Sequence, residues 1–138
     1  MKATFLYVNK SKNTKTIILE VSPNNYKKIM SRKQIFVGSQ ICKVYEEYGI
    51  VQCYKCYKFG HKSNNCTNDI DICKKCAGSH RSDKSSSNDI KCVNCSNYNL
   101  KDKNKVKVNT NHEATNSKMC EMHKMMIKQI KLKTDYGN

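Results

Sequence analysis

The chain predicts a small α+β fold: one helix on a short antiparallel sheet, then tandem loops stapled by metal, and a short helix at the end. Three observations predict it. Two β-branched and aromatic runs, residues 3–8 and 16–21, stand before a proline-started helical pattern. Eight of the nine cysteines fall after residue 52, six of them in Cys-x2-Cys pairs. The hydrophobic content is only 38% of 138 residues and the mean hydropathy is -0.77. Such a chain can bury one small core, and short modules of this kind need staples.

Taken in order, Ala3 to Val8 and Thr16 to Val21 read as strands joined by a polar turn from Asn9 to Lys15. Ser22-Pro23 then offers a cap and a proline at the first helical position, and Tyr26, Ile29 and Met30 recur one turn apart, so a helix is expected to about Arg32. Gln34 to Val37 and Ile41 to Tyr45 return to strand composition around Gly38. The helix is expected on one face of the sheet, with Phe5, Tyr7, Ile18, Leu19, Ile29, Phe36, Val37, Ile41 and Val44 as core. Cys42 has no partner at ligand spacing and reads as a small buried hydrophobe.

The strongest local signal is Cys53-Tyr-Lys-Cys56-Tyr-Lys-Phe-Gly-His61-Lys-Ser-Asn-Asn-Cys66. Its Cys-x2-Cys-x4-His-x4-Cys spacing supplies three thiolates and one imidazole within a loop short enough to close on one ion, the donor set of a structural zinc site. Disulfides fit poorly with an odd cysteine count, paired spacing and no secretion signal, since the apolar run 3–8 is too brief for one. Beyond it, Cys73, Cys76 and His80 begin a second array with Lys84, Ser85 and Ser86 where a fourth thiolate is expected. Cys73, Cys76, Cys92 and Cys95 also match a four-cysteine ribbon. Spacing alone does not choose. His112 and Cys120 stand where they can close a third site begun by Cys92 and Cys95, with His123 as a substitute ligand or an exposed side chain.

Asn97 to Asn111, including Lys103 and Asn104, reads as a solvated loop with a brief strand at Val106 and Val108. From Met119 on, Met122, Met125, Met126 and Ile130 fall at helical spacing between Lys124, Lys128, Lys131 and Lys133, a short basic amphipathic helix.

The formal charge is +15, from 26 basic and 11 acidic residues. The excess runs the whole length, nine basic to three acidic in residues 1–50, eight to four in 51–95 and nine to four in 96–138. The terminal helix is short and lacks large aromatic anchors, and a basic surface with no apolar span or lipidation signal points to a polyanion rather than a membrane. Only Arg32 and Arg81 carry a guanidinium fork, so lysine-phosphate attraction outweighs base-edge readout. In the first array Tyr54 and Phe59, ringed by Lys55, Lys58 and Lys62, are the expected platform for unpaired bases.

Several stretches together carry a family resemblance: Ile17-Ile-Leu-Glu-Val-Ser-Pro23, Ile35-Phe-Val-Gly38, Cys42-Lys-Val-Tyr45, Cys53-Tyr-Lys-Cys56, Phe59-Gly-His61, Cys73-Lys-Lys-Cys76-Ala-Gly-Ser-His80, Cys92-Val-Asn-Cys95, Asn111-His112 and Cys120. In this order they resemble the Gag-like first-reading-frame proteins of insect non-LTR retrotransposons. The resemblance implies a partial RNA-recognition-like segment over residues 1–50, the later half of that domain in an N-terminally truncated copy. It implies a CCHC zinc knuckle over 51–67, a degenerate second knuckle over 71–91, a third with a long insertion over 92–123, and a basic helical tail over 124–138. It favours Cys92, Cys95, His112 and Cys120 as one ligand set over the ribbon.

The expected function is therefore zinc-dependent binding of single-stranded RNA or DNA with weak sequence preference. The alternative is a protein-protein interaction module built on the ribbon. No enzyme is expected, because neither a His-Glu-x2-His nor a His-x-Glu arrangement occurs. The expected setting is intracellular, in cytoplasm or nucleus, with self-association left open.

Overall fold

The structure, a computed structural model, describes residues 2–101 and 105–136, with side chains from Val8 onward. It divides into two compact units, the first reaching Tyr48 and taking in the segment from Lys133, the second running Gly49–Leu132.

In the first unit, β1 (Lys2–Asn9) pairs antiparallel with β2 (Thr14–Glu20), with a register irregularity between Ala3 and Phe5. Asn9 shapes the turn: its Oδ1 accepts from Ser11 Oγ at 2.8 Å and from the Lys12 amide at 3.2 Å. Helix α1 (Pro23–Arg32) opens on the proline, whose missing amide costs nothing there. It stops at Lys33, which turns left-handed at φ 54 and returns its amide to Ile29 O at 2.8 Å. Strands β3 (Gln34–Val37) and β4 (Gln40–Lys43) form a hairpin with Gly38 at φ 61 in the turn.

The strands do not join into the single sheet that the sequence predicts. They make two separate two-stranded sheets, and α1 touches β3. The consequence is visible in the expected core. Ile18, Leu19, Ile29 and Val44 are half-buried, whereas Phe36, Val37 and Ile41 are 69%, 54% and 60% exposed. Phe36 and Ile41 sit opposite each other on one face of a hairpin that pairs only with itself, so no second layer covers them. Phe5 and Tyr7 lie outside the described side chains. Cys42 is half-buried rather than buried.

Polar contacts do part of the work of packing here. Glu46 accepts from both Tyr26 Oη and Tyr48 Oη, and the Tyr26 ring lies 4.9 Å from that of Tyr136. The hydrogen bond to Glu46, aided by burial, lifts the Tyr26 phenol well above the ordinary tyrosine range.

The second unit has short helical turns at Ser63–Asn65 and Ser82–Lys84, then α2 (Val93–Lys101) and α3 (Glu121–Lys133). Its interior consists of Cys53, Cys56, Cys73, Cys92, Cys95 and Cys120 with Val93, Ala114 and His112. Helix α2 occupies part of the stretch expected to be a loop. The Ser96 amide and hydroxyl both bond to Cys92 O, at 3.0 and 2.7 Å, and start the helix at the ligand itself. Among the described residues no strand forms at Val106 and Val108. Instead the Asn99 side chain pairs with both backbone groups of Val108 at 2.9 Å, occupying the bonds a strand partner would take. Residues 102–104 of the expected loop lie outside the described residues.

The left-handed Lys33 gives a check on the first unit. Lys33→Gly relieves a strained cap and should stabilise α1 by about 0.5–1 kcal/mol net of the added unfolded-state freedom. Amide hydrogen exchange in α1 should slow by a few-fold, and unchanged or faster exchange would contradict this description of the helix end.

Candidate metal centres

Each array is built by backbone before any ion is considered. In the first, the Cys53 amide donates to Lys58 O at 2.9 Å and the Tyr57 amide to Cys53 O at 2.8 Å, which folds Cys53–Cys56 into one tight turn. Closing the turn puts Tyr57 at φ 55, and Gly60 lies at φ 101, a region side chains avoid. The turn at Ser63–Asn65 then returns Cys66 to the same point. One donor atom from each of Cys53, Cys56, His61 and Cys66 lies within 4.8 Å of the others, with Cys56 Sγ 3.4 Å from His61 Nε2.

The second array repeats this path. The Cys73 amide bonds to Gly78 O at 2.8 Å and the Ala77 amide to Cys73 O at 3.0 Å, with Ala77 at φ 58. Cys73, Cys76 and His80 converge, Cys76 Sγ lying 3.6 Å from His80 Nε2.

The third is assembled differently. Cys92 and Cys95 stand at the start of α2, His112 on the returning chain and Cys120 immediately before α3. Cys120 Sγ lies 3.9 Å from Cys92 Sγ and 3.8 Å from Cys95 Sγ, and His112 Nε2 is 3.6 Å from Cys95 Sγ.

These spacings test the fit to a metal. With bonds of about 2.3 Å to sulfur and about 2.0 Å to nitrogen, tetrahedral zinc holds S–S pairs about 3.8 Å and S–N pairs about 3.5 Å apart. The S–S distances of 3.8 and 3.9 Å and S–N distances of 3.4 to 3.6 Å match those edges. The three groups can each hold a metal ion.

The ribbon alternative is corrected by this partition. Cys73 and Cys76 close with His80, while Cys92 and Cys95 close with His112 and Cys120, so the two pairs serve separate centres. The x15 spacing allowed one shared ion, but the intervening chain closes the first pair onto its own histidine. His123 joins neither group. It is half-buried with its ring 5.8 Å from that of Phe59, not exposed.

Protonation follows the backbone. Burial pushes the Cys53 thiol up, but the amides of Cys56 and Lys55, 3.5 and 3.3 Å from its sulfur, outweigh it and bring it down to about 6. Burial likewise opposes Cys73, which the Cys76 amide, the Ser85 hydroxyl and the Lys75 amide bring down to about 6. Cys92, bonded to Cys120, falls to about 5. The partners move the other way. Burial pushes Cys56 up to about 11 and raises Cys95, and its bond to Cys92 raises Cys120. Each array therefore offers one thiol of lowered pKa, and Cys56, Cys95 and Cys120 must lose protons to take an ion.

The expected nucleic-acid residues surround the first array unequally. Tyr54 is 74% exposed, with its ring edge-on to Tyr57 at 6.3 Å. Phe59 is half-buried and packs against the cluster around the third array. Lys58 and Lys62 are exposed and Lys55 half-buried.

Sequence reasoning missed the amides that join the arrays. Gln52 Nε2 donates to Tyr57 O at 3.0 Å and Ala114 O at 2.8 Å, and Asn94 Nδ2 donates to Tyr57 O at 2.8 Å. The available signal was an Asn inside Cys92-x2-Cys95 and a Gln directly before Cys53, polar residues beside ligands where solvent is scarce.

The chain is similar to a mobile-element protein. Over 48 residues, 33% of this chain, it is 46% identical to the nucleic-acid-binding protein from mobile element jockey of Drosophila funebris. The matched segment spans 8% of that protein's length. No family model and no solved structure matches the chain.

The thiol pattern sets a pH dependence. At pH 7 Cys53 is already mostly thiolate while Cys56 must release its proton on metal binding, and below about 6 Cys53 must as well. Affinity for zinc, measured by competition with a chromophoric chelator, should fall with acidification and fall more steeply below pH 6. A pH-independent affinity would contradict thiolate ligation.

Proposed function

We propose that this chain is a zinc-dependent, Gag-like nucleic-acid-binding protein that holds single-stranded RNA or DNA with weak sequence preference. The observation that carries this reading is the placement of Tyr54. A large aromatic ring, 74% exposed, stands between two buried cysteines of a metal loop, beside Lys55 and with exposed Lys58 and Lys62 nearby. An unpaired base can stack on such a ring while lysines meet its phosphates, and neither contact depends strongly on sequence. Similarity to a nucleic-acid-binding protein of a mobile element supports the partner class.

Zinc is the ion these donors suit best. Thiolate with imidazole in tetrahedral spacing is its structural donor set, whereas calcium and magnesium take oxygen. In the first and third arrays four protein donors fill the coordination shell. That closure supports a structural, non-enzymatic role. In the second unit we read Cys53, Cys56, His61 and Cys66 as the centre of the binding surface. Phe59 contributes through its remaining exposed edge and mainly packs the third array. We read the first unit, with its β-β-α-β-β order, as part of an RNA-recognition-like domain.

The setting follows from the same chemistry. Reduced thiols suit the cytoplasm or nucleus. Among the described residues no helix is long and apolar enough to cross a membrane.

Binding of a fluorescent single-stranded oligonucleotide tests the reading. Tyr54→Ala should weaken it by about 5- to 150-fold, the equivalent of about 1–3 kcal/mol of stacking, with zinc content unchanged. Affinity of the wild-type protein should drop linearly in log-log form with salt, and removing Lys58 should reduce the slope by about 0.7. Equal affinity of Tyr54→Ala and wild type, or no binding at low salt, would sink the proposal.

A further inference from the structure

The second array departs from the first at one ligand. Its chain path does not. The turns Ser63–Asn65 and Ser82–Lys84 match, as do the residues that follow them, Cys66 at φ -77, ψ 127 and Ser85 at φ -74, ψ 121. Ser85 therefore stands where the first array has its fourth thiolate. Its hydroxyl lies 4.0 Å from Cys76 Sγ and so faces the donor atoms of this array.

We propose that Cys73, Cys76, His80 and the Ser85 hydroxyl form a second-rank zinc site, with oxygen at the fourth position, that binds and releases the ion more readily than the other two arrays. The inference rests on the zinc reading of those arrays.

Two independent features show that this loop is shaped for ligation. The first is Gly78. The second array has three residues between its cysteine and histidine where the first has four, so His80 folds back more tightly. A Cβ on Gly78 would meet His80 Cε1 at 2.8 Å, His80 Nδ1 at 3.1 Å and Cys76 Sγ at 3.3 Å. Only glycine leaves room for the ring against the sulfur. No positive φ explains this glycine, so space is what it provides.

The second feature is bracing from both sides. The Ile72 amide bonds to Lys55 O at 2.9 Å in the first array, and the Ala114 amide to Lys74 O at 2.8 Å from the third. Lys91 donates to Lys75 O at 2.6 Å, and the Lys74 amide to Ser82 Oγ at 2.9 Å. The donor atoms are thus placed by their neighbours, and the fourth position need not supply the energy to form the loop.

Donor chemistry then ranks the site. Two thiolates neutralise a divalent ion, and a neutral hydroxyl adds far less than a third thiolate. The C–O bond of serine is also shorter than the C–S bond of cysteine, and the 4.0 Å separation from Cys76 exceeds the edge of about 3.5 Å between a sulfur and an oxygen on one zinc ion, so the hydroxyl has to draw in by about half an ångström to bind. The site is complete in number and weak in its last member. This makes zinc availability a control on the central loop, while the outer arrays stay loaded.

Native mass spectrometry of the full chain in chelator-buffered zinc tests the assignment. Wild type should retain two ions under mild chelation and take a third as free zinc rises. Ser85→Cys should tighten the third by at least about tenfold, the scale of even an outer-shell change, so that it is retained with the others. Ser85→Ala should weaken it by a comparable factor, and the two retained ions report that the protein is still folded. Cobalt in the third position should show a spectrum that shifts between wild type and Ser85→Cys as oxygen gives way to sulfur. A wild-type protein that takes two ions and never a third, or an unchanged third-ion affinity in Ser85→Ala, overturns this inference alone. A protein that takes no zinc at any concentration overturns the zinc reading of all three arrays.

Discussion

The second unit has to satisfy a set of buried sulfur and nitrogen atoms that no apolar packing can satisfy for it. Six cysteines and His112 fill the space a hydrophobic core would occupy, and among the described residues Val93 and Ala114 are the other buried side chains. Burying a thiolate or imidazole without a partner is costly, and three thiolates brought together repel one another. On the zinc reading proposed above, a divalent ion at each centre removes both penalties. Most of the unit's cohesion then comes from ligation, and the low hydrophobic content ceases to be a deficit.

From that constraint the remaining architecture follows. Loops closed on their ligands need little interior, so a ring such as Tyr54 can stay in solvent. The three centres are tied by amide hydrogen bonds as well as by the packing of Tyr57, Phe59, Ile72 and Ala77 against the third array. Tyr57 O receives both Gln52 and Asn94, Lys55 O receives Ile72, and Lys74 O receives Ala114. Carbonyls beside ligands act as the mortar between arrays. The first unit follows the same economy with its Tyr26–Glu46–Tyr48 contacts, and none of its described side chains is fully buried.

Local chemistry made much of this readable before the structure. The β-branched runs, Ser22-Pro23 and Gly38 placed four strands and a helix close to where they occur, because each signal acts within a few residues. The convergence of Cys53, Cys56, His61 and Cys66 was likewise carried by spacing. What escaped was non-local. Whether Cys73 and Cys76 would meet His80 or Cys92 depended on a glycine that makes room for a ring, not on cysteine intervals. Helix α2 has weak propensity of its own, with three asparagines and a serine in nine residues, and exists because Cys92 starts it and Asn99 fastens the returning chain. The exposed Phe36 and Ile41 looked like core because composition cannot say whether a hairpin has a second layer above it.

The central claim is that ligation substitutes for a core in the second unit. Amide hydrogen exchange on the zinc-loaded chain and on the same chain after chelation tests this most directly. The account predicts protected amides at Cys53, Tyr57, Cys73, Ala77, Cys92 and Cys120 with zinc, and loss of that protection at all of them once zinc is fully removed, first at Cys73 and Ala77. Protection that survives chelation unchanged would show that the loops hold themselves, and would contradict it.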